Sequence, residues 1–145
     1  MKALLQRVAE AAVSVDGRET GRIGPGLLVF LGLDRGDDRA VAERLLSRVL
    51  RYRVFADEAG RMNRSVADSG GGVLLVSQFT LSADTGRGLR PSFSSALPPA
   101  EARALYGECL AWLHTQHAPV AAGEFGADMQ VSLVNDGPVT FLLES

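Results

Sequence analysis

A change in hydrophobic period near residue 37 constrains the fold more than any other feature of this sequence. The first thirty-three residues carry apolar runs separated at Asp16-Gly17 and again near Pro25, and such turn signals between apolar runs are typical of strands. From Asp37 the apolar residues recur at three and four positions, which predicts an amphipathic helix that extends to about Arg53. The chain therefore begins as a sheet and then places a helix against it.

The remainder of the chain repeats this alternation. Residues 57–72 and 82–99 are predicted as loops, and the apolar run VLLVSQFTL between them (73–81) predicts a buried strand. A second helix is expected to open at Pro98 and Pro99, because a first-turn proline is tolerated. The final segment, MQVSLVNDGPVTFLLE, predicts two strands joined at a turn.

These patterns predict one domain over residues 1–145, because the chain shows no internal repeat and no linker. The expected fold class is α/β (α+β), a single compact domain. Its sheet is expected to be mostly antiparallel or mixed, barrel-like, and built of about seven strands with two main helices.

The charged and sulfur-containing residues exclude several classes of protein. Fifteen basic against seventeen acidic side chains give a net charge of −2, which argues against nucleic-acid binding driven by overall charge. Lys2 is the only lysine, so the sequence contains neither a GxxxxGK[ST] phosphate loop nor an internal Schiff-base lysine. Cys109 is the only cysteine, which predicts a protein of the cytosol without an intrachain disulfide. No apolar stretch is long enough for a bilayer span, and we expect neither a membrane nor a DNA partner.

Conventional catalytic residues do not form a recognisable set. His114 and His117 lie near the end of the second predicted helix without a suitably spaced third ligand, so no metal and no cofactor is expected. The sequence has no GxSxG nucleophile elbow. A conventional triad or a metal hydrolase is therefore disfavoured.

A first polar cluster ends the predicted strand 73–81, where Ser77, Gln78 and Thr80 interrupt the apolar run on either side of Phe79. Buried polar groups need partners, so these side chains could simply satisfy neighbouring backbone. Alternatively, exposed N–H groups and side chains at this strand end could bind a ligand carbonyl, as an oxyanion site requires.

A second cluster, residues 135–140, places Gly137 and Pro138 between two apolar runs. A proline there interrupts strand pairing. The segment could be an ordinary hairpin turn, or it could contain a cis peptide bond, since bonds that precede proline prefer the trans form by only about 0.5 to 1 kcal/mol.

Both clusters carry a resemblance to a known family. Nearly the whole chain resembles D-aminoacyl-tRNA deacylase, and the two signature motifs of that family, SQFTL and NDGPVT, stand here intact and in order. The matching segments are QRV (6–8), RMN (61–63), VSQFTL (76–81), RPSF (90–93), FGADM (125–129) and VSLVNDGPVTF (131–141).

The resemblance implies a cytoplasmic homodimeric enzyme that takes part in translation quality control. Such an enzyme hydrolyses the ester of D-aminoacyl-tRNA, releases tRNA and the D-amino acid, and also tolerates glycine. It implies that the Gly137-Pro138 bond is cis and reaches into the active site of the partner subunit, where its carbonyl oxygens exclude an L side chain.

The resemblance also assigns roles to single residues. Ser77, Gln78, Phe79 and Thr80 are implied to hold the terminal adenosine and the scissile carbonyl, with backbone N–H groups near Phe79 and Thr80 stabilising the oxyanion. A rival mechanism uses Thr80 as a covalent nucleophile.

Two further residues support these clusters in the resemblance. Arg7 is implied to hold the Gly137-Pro138 segment through carbonyl hydrogen bonds, although an ordinary surface arginine would look the same. Met129 is expected to line the amino-acid pocket, although a core methionine is a close alternative.

The tRNA body would have to be bound by local basic residues. Arg87 and Arg90 lie on the loop 82–99 and are expected to contact tRNA, whereas the arginine stripe of the first helix (Arg44, Arg48, Arg51) is more typical of a solvated face. A binding module without hydrolysis and a purely structural subunit are the alternatives from other classes.

Overall fold

The long N-terminal strand organises the sheet. The structure, a computed structural model, describes residues 1–86 and 88–145. Strand β1 (Lys2–Val15) pairs antiparallel with β2 (Arg18–Ile23), β3 (Gly26–Gly32) and β8 (Gln130–Glu144). The other elements are α1 (Arg39–Arg51), β4 (Phe55–Ala56), β5 (Met62–Arg64), α2 (Val66–Ser69), β6 (Gly72–Ser77), a 3-10 helix (Phe79–Ser82), α3 (Pro99–Gln116) and β7 (Val120–Ala122).

The middle of the sheet is parallel. The main sheet has the order β2-β1-β3-β6-β7, and β6 runs parallel to both β3 and β7. Strand β3 is buried on both faces, because Leu27, Val29 and Leu31 point to one side and Leu28 to the other. A continuous apolar run is what a parallel strand covered on both sides requires.

Two hydrophobic cores lie on opposite faces of this sheet. Helices α1 and α3 cover the outer face, and their buried residues recur at helical spacing. The other face is the interior of the curved sheet. It is filled by Val8, Ala11, Val13, Ile23, Leu28, Leu74 and Val76.

The sheet closes almost into a barrel where β2 approaches β7. Gly21 makes this possible, because a Cβ atom at that position would lie 2.5 Å from the carbonyl oxygen of Ala122. A glycine where another backbone approaches closely is a recurrent feature of strands at such closures. The predicted single-domain, mixed and barrel-like α+β fold is confirmed, with eight strands and three α-helices over residues 1–86 and 88–145.

The helices begin with the capping chemistry that their sequences contain. The Asp38 carboxylate accepts a hydrogen bond from the Val41 N–H, so α1 begins at Arg39. Proline occupies the first turn of α3, as predicted. Over the described residues, no helix is long and apolar enough to cross a membrane.

Three sequence-based predictions of local structure were wrong. Strand β6 ends at Ser77 instead of continuing to residue 81, because the chain turns there into the 3-10 helix. The predicted loop 57–72 contains β5 and the one-turn helix α2, which a capping box between Ser65 and Asp68 stabilises. The C-terminal segment is a single strand, β8, because both of its halves pair with β1. Strand β7 was not anticipated.

We expect Leu74→Ala to lower the free energy of unfolding by about 2 to 5 kcal/mol, because it removes a fully buried side chain from the barrel interior. Urea denaturation followed by circular dichroism measures this change. Leu89→Ala is the matched control, since Leu89 is fully exposed and its truncation should change stability by less than about 0.5 kcal/mol. Equal effects of the two variants would contradict the assignment of the interior core.

Candidate active site

The first polar motif lies at the carboxyl end of the central parallel strands. Ser77 pairs with Leu31 at the last position of the β3–β6 ladder, and the Gln78 N–H donates to the Leu31 carbonyl at 2.8 Å. The chain then leaves the sheet in the 3-10 helix, where the Leu81 N–H donates to the Gln78 carbonyl at 3.2 Å. The carboxyl ends of parallel strands are common positions for ligand sites, because connecting loops form a crevice there.

A cavity of about 670 Å³ opens at this strand end. The motif contributes Ser77, Gln78 and Phe79 to its lining, and β8 and the segment before it contribute Val131 and Met129. The lining also includes Arg35, Val76, Phe93, Ala96, Leu97, Pro98, Pro99, Ala102, Phe125, Gly126 and Ala127. A largely apolar cavity with a few polar groups at one end is the usual form of a small-molecule site.

The polar side chains of the motif are ordered by one another. The Gln78 Nε2 group donates to the Thr80 hydroxyl at 2.5 Å. Thr80 itself is exposed and does not line the cavity. The N–H groups of Phe79 and Thr80 have no hydrogen-bond partner among the described residues, as expected for the first turn of a helix. They are therefore free to bind a ligand oxygen.

Two phenylalanines form the rim of the cavity. Phe79 is 60% exposed and lies against Phe93, with ring centroids 5.0 Å apart and planes inclined at 57°. Exposed aromatic rings beside a cavity provide a surface on which nucleobases stack. Phe93 comes from the loop 82–99, which the Asp34–Ala96 bridge ties to the end of the sheet.

Phe125 forms a further part of the cavity wall. Its ring packs on Tyr106 at 5.6 Å, and the Tyr106 hydroxyl donates to the Leu75 carbonyl at 2.9 Å inside the core. Burial raises the pKa of Tyr106 well above its ordinary value, so this hydroxyl stays protonated and keeps its hydrogen bond. The wall is thereby anchored to β6. Sequence reasoning did not place Phe125 and Phe93 in the cavity lining, although the FGADM and RPSF segments contain them.

The second motif lies in the middle of β8 and bulges away from the sheet. Val8 pairs with Asn135, and Gln6 pairs with Thr140. Residues 136–139 of β8 therefore lie opposite a single residue of β1, Arg7, and form a bulge. The Gly137-Pro138 peptide bond is cis.

Side chains of the second motif fix its shape. The Asn135 side-chain oxygen Oδ1 accepts from the Val139 N–H at 2.8 Å, and the Asn135 side-chain Nδ2 group donates to the Thr140 hydroxyl at 2.9 Å. Gly137 has φ +146°, and a Cβ atom there would lie 2.6 Å from the Val139 Cγ2 atom. Only glycine fits this position without a shift of the chain.

Arg7 connects the second motif to the body of the protein. Its Nε group donates to the Asp136 carbonyl at 2.9 Å, and its Nη1 group donates to the Val54 carbonyl at 2.6 Å. The Asp136 carboxylate is 3.6 Å from the same Nε atom. Arg7 therefore lies directly against the segment that the sequence analysis assigned to it.

The two motifs do not meet within one chain. Gly137, Pro138 and Arg7 do not line the cavity. Arg7 is opposite Leu27 near the start of β3, whereas Ser77 is opposite Leu31 near its end, and four residues of strand correspond to about 13 Å. Met129, by contrast, joins Ser77, Gln78 and Phe79 in the cavity wall and is half-buried.

None of the remaining candidates that the structure describes lines the cavity. The His117 ring Nε2 atom is 2.7 Å from the Gly71 carbonyl oxygen, and His114 is exposed on α3. Within residues 1–86 and 88–145, no three His, Cys, Asp or Glu side chains are placed to hold a metal ion. Arg90 is exposed on the loop, and Arg87 lies outside the described residues.

Comparisons with known proteins identify the class to which this fold and cavity belong. A family model described as D-Tyr-tRNA(Tyr) deacylase matches residues 4–144. The D-aminoacyl-tRNA deacylases of Stutzerimonas stutzeri (strain A1501) and of Azotobacter vinelandii (strain DJ / ATCC BAA-1303) are each 63% identical over 145 residues, which is 100% of both chains. The chain belongs to the D-Tyr-tRNA(Tyr) deacylase family, a family of hydrolases, and the resemblance inferred from the two motifs is confirmed.

Two solved structures share this fold. The c-Myc DNA Unwinding Element Binding Protein is 41% identical with a TM-score of 0.95, and the match covers 100% of this chain and 99% of that one. A probable eukaryotic D-amino acid tRNA deacylase is 16% identical with a TM-score of 0.82, over 98% and 97% of the two chains, and shows the fold alone. The expectation that DNA is not a partner stays a prediction.

We expect Cys109 to be chemically inert in the folded protein. Burial raises the pKa of its thiol to about 12, so at pH 8.5 the group is almost entirely in the unreactive thiol form. A thiol-disulfide reagent that absorbs on reaction should therefore report almost no modification of native protein and immediate modification in urea. The Cys109→Ala variant gives the background signal of the reagent. A modification rate in native protein close to the rate in urea would contradict the prediction, because it would show that the Cys109 thiol is accessible.

Proposed function

We propose that this protein hydrolyses the ester bond that joins a D-amino acid, or glycine, to the 3' end of tRNA. The observation that carries the proposal is the 63% identity over the full chain with proteins named D-aminoacyl-tRNA deacylase. The cavity supports it, because an apolar space with aromatic rings at its rim and hydrogen-bond donors at one end suits a terminal nucleoside that bears an ester.

The chemistry requires little from the protein. An aminoacyl ester is already activated, so a fixed carbonyl and a stabilised oxyanion suffice for attack by water. Water adds to the carbonyl carbon, the bond to the ribose 3' oxygen breaks, and that oxygen takes up a proton. The neighbouring ribose 2'-hydroxyl can assist the proton transfer.

The backbone of the first motif supplies the oxyanion site in this proposal. The free N–H groups of Phe79 and Thr80 bind the developing negative charge on the carbonyl oxygen. Ser77 and Gln78 line the cavity beside them and position the ribose. Met129, which also lines the cavity, contacts the amino-acid side chain of the substrate in this proposal. The Thr80 hydroxyl then has only a supporting role, as the acceptor of the Gln78 amide hydrogen bond.

Selection between enantiomers is assigned to the second motif of a partner subunit. Because Gly137 and Pro138 are exposed and lie outside the cavity of their own chain, the motif is free to enter the cavity of another copy. Its backbone carbonyl groups would occupy the space that an L side chain needs, while a D side chain or the hydrogen of glycine would not collide. Arg7 holds the motif in place through the Asp136 carbonyl.

A homodimer agrees with the surface of β8. Among the described residues this strand pairs only with β1, and it exposes apolar side chains at Val134 (51%), Phe141 (37%) and Leu142 (51%). A strand with an unpaired edge and exposed apolar side chains is a surface that another chain can cover. We propose that two copies associate through this region and that each completes the site of the other in the cytoplasm.

Hydrolysis of matched D- and L-tyrosyl-tRNA, with and without a chelator, tests the proposal directly. We expect rapid release of D-tyrosine only, and no effect of the chelator, because the activated ester needs no further polarisation. Release of tyrosine from both enantiomers would support esterase activity but contradict the role of Gly137 and Pro138 in chiral selection. Release from neither would favour a module that binds tRNA ends without hydrolysis.

Gly137→Ala is the companion variant for this assay. A Cβ atom at this position would displace Val139 and the Arg7 guanidinium, so the bulge must shift and discrimination against the L enantiomer should weaken. A purely structural turn predicts a different result, namely a lower urea midpoint with unchanged selectivity.

Thr80→Ala separates the two mechanisms. We expect the variant to retain activity within about tenfold of the original, because the backbone N–H group of residue 80 is unchanged. A covalent Thr80 nucleophile predicts a nearly complete loss, with activity kept only in Thr80→Ser. Single-turnover deacylation of D-tyrosyl-tRNA measures both variants, and a loss in the alanine variant alone would assign the hydroxyl a covalent role.

A further inference from the structure

The cavity has one charged residue in its lining and a second at its edge. Arg35, on the loop between β3 and α1, is the only charged residue among the described residues that line the cavity. Arg103, on α3, places its guanidinium 5.0 Å above the ring of Phe125, which is a lining residue. The mechanism described above uses neither arginine.

Arg35 is held in position but not neutralised. Its backbone N–H donates to the Ser95 carbonyl at 2.8 Å, and its Nε group donates to the Ser94 carbonyl at 2.7 Å. Its two terminal amino groups have no hydrogen-bond partner among the described residues. The carboxylates of the neighbouring Asp34 and Asp37 each lie 3.0 Å from the α-amino group of Met1 and are already paired.

Arg103 is similarly without an acidic partner in the part of the chain that the structure describes. The residues three and four positions away on α3 are Pro99, Ala100, Tyr106 and Gly107, so no helical ion pair is possible. Glu124, close in sequence to Phe125, forms an ion pair with Arg18 at 3.0 Å. Two guanidinium groups thus border an apolar cavity with unused donors.

We infer that Arg35 and Arg103 bind the phosphodiester groups that precede the terminal nucleoside of the RNA substrate. The inference rests on the proposed function and adds the binding residues for the RNA backbone. A nucleoside that stacks against Phe79 inside an apolar cavity must leave its 5' phosphate at the rim. Guanidinium groups bind phosphate oxygens with paired, charge-assisted hydrogen bonds, and this chemistry requires donors that are free of other anions.

The test compares two non-hydrolysable ligands with and without phosphate. One is 3'-(D-tyrosylamido)-adenosine, and the other is the trinucleotide CCA with the same amide at its 3' end. Affinities are measured by isothermal titration calorimetry at several salt concentrations. We expect Arg35→Gln and Arg103→Gln each to weaken binding of the trinucleotide about tenfold, because each variant loses one charge-assisted hydrogen bond to phosphate. Binding of the nucleoside should stay within twofold of the original.

The salt dependence provides a second readout. The slope of log affinity against log salt should fall by about 0.7 for each arginine removed, as for single-stranded nucleic acid. Arg35→Lys and Arg103→Lys keep the charge and should restore most of the slope. Arg44→Gln is the matched control, since Arg44 is an arginine on the surface of α1 that does not line the cavity.

Two results would overturn the inference. Unchanged trinucleotide affinity in both glutamine variants would show that the arginines do not contact phosphate. Equal weakening of both ligands would show that the arginines only shape the cavity. Failure of the proposed function has a different signature, because the unsubstituted protein would then release no D-tyrosine from D-tyrosyl-tRNA, whether or not it binds the two ligands.

Discussion

The parallel pairing of β3 with β6 is the constraint on which the rest of the structure depends. Both strands are buried on two faces, so they fix the position of the helices outside the sheet and of the barrel interior within it. Because the pair is parallel, both strands end at the same edge, and the Gln78 N–H is bonded to the Leu31 carbonyl there. The cavity lies at this edge, and its polar residues Ser77 and Gln78 are held in place because they follow directly on the most buried part of the sheet.

In the proposed function, ester cleavage and the selection of the substrate are assigned to two separate motifs. The first motif presents backbone donors beside an apolar cavity, while the second presents a tightly bonded bulge on a different part of the surface. Each part is held rigid by its own contacts. The cavity wall at Phe125 packs on Tyr106, which is hydrogen-bonded to the Leu75 carbonyl, and the bulge is held by Arg7 through the Asp136 carbonyl. A selective site that relies on exclusion needs this rigidity, because a bulge that yielded would admit the wrong enantiomer.

The sequence was sufficient to predict the fold class, the two main helices α1 and α3, and the position of the first motif, because hydrophobic period and turn residues are local signals. It could not show that the C-terminal segment is one strand. A turn at Asp136, Gly137 and Pro138 is compatible both with a hairpin of two strands and with a bulge in one strand. The pairing of both halves of the C-terminal segment with β1 shows that it is a bulge. Arg35 and Phe125 could not be recognised as cavity residues by period, because they lie on connecting segments whose positions depend on distant contacts.

One feature of β8 limits how this protein can vary. The same strand lines the cavity with Val131 and carries the bulge at Gly137, and its pairing with β1 sets the position of both. A slip of one residue in that pairing would turn every side chain of β8 to the opposite face. It would therefore remove Val131 from the cavity and Gly137 from Arg7 in a single step. An insertion or deletion within β8 is therefore expected to displace the cavity wall and the bulge together, whereas an exchange of side chains on an unchanged backbone register leaves both in place.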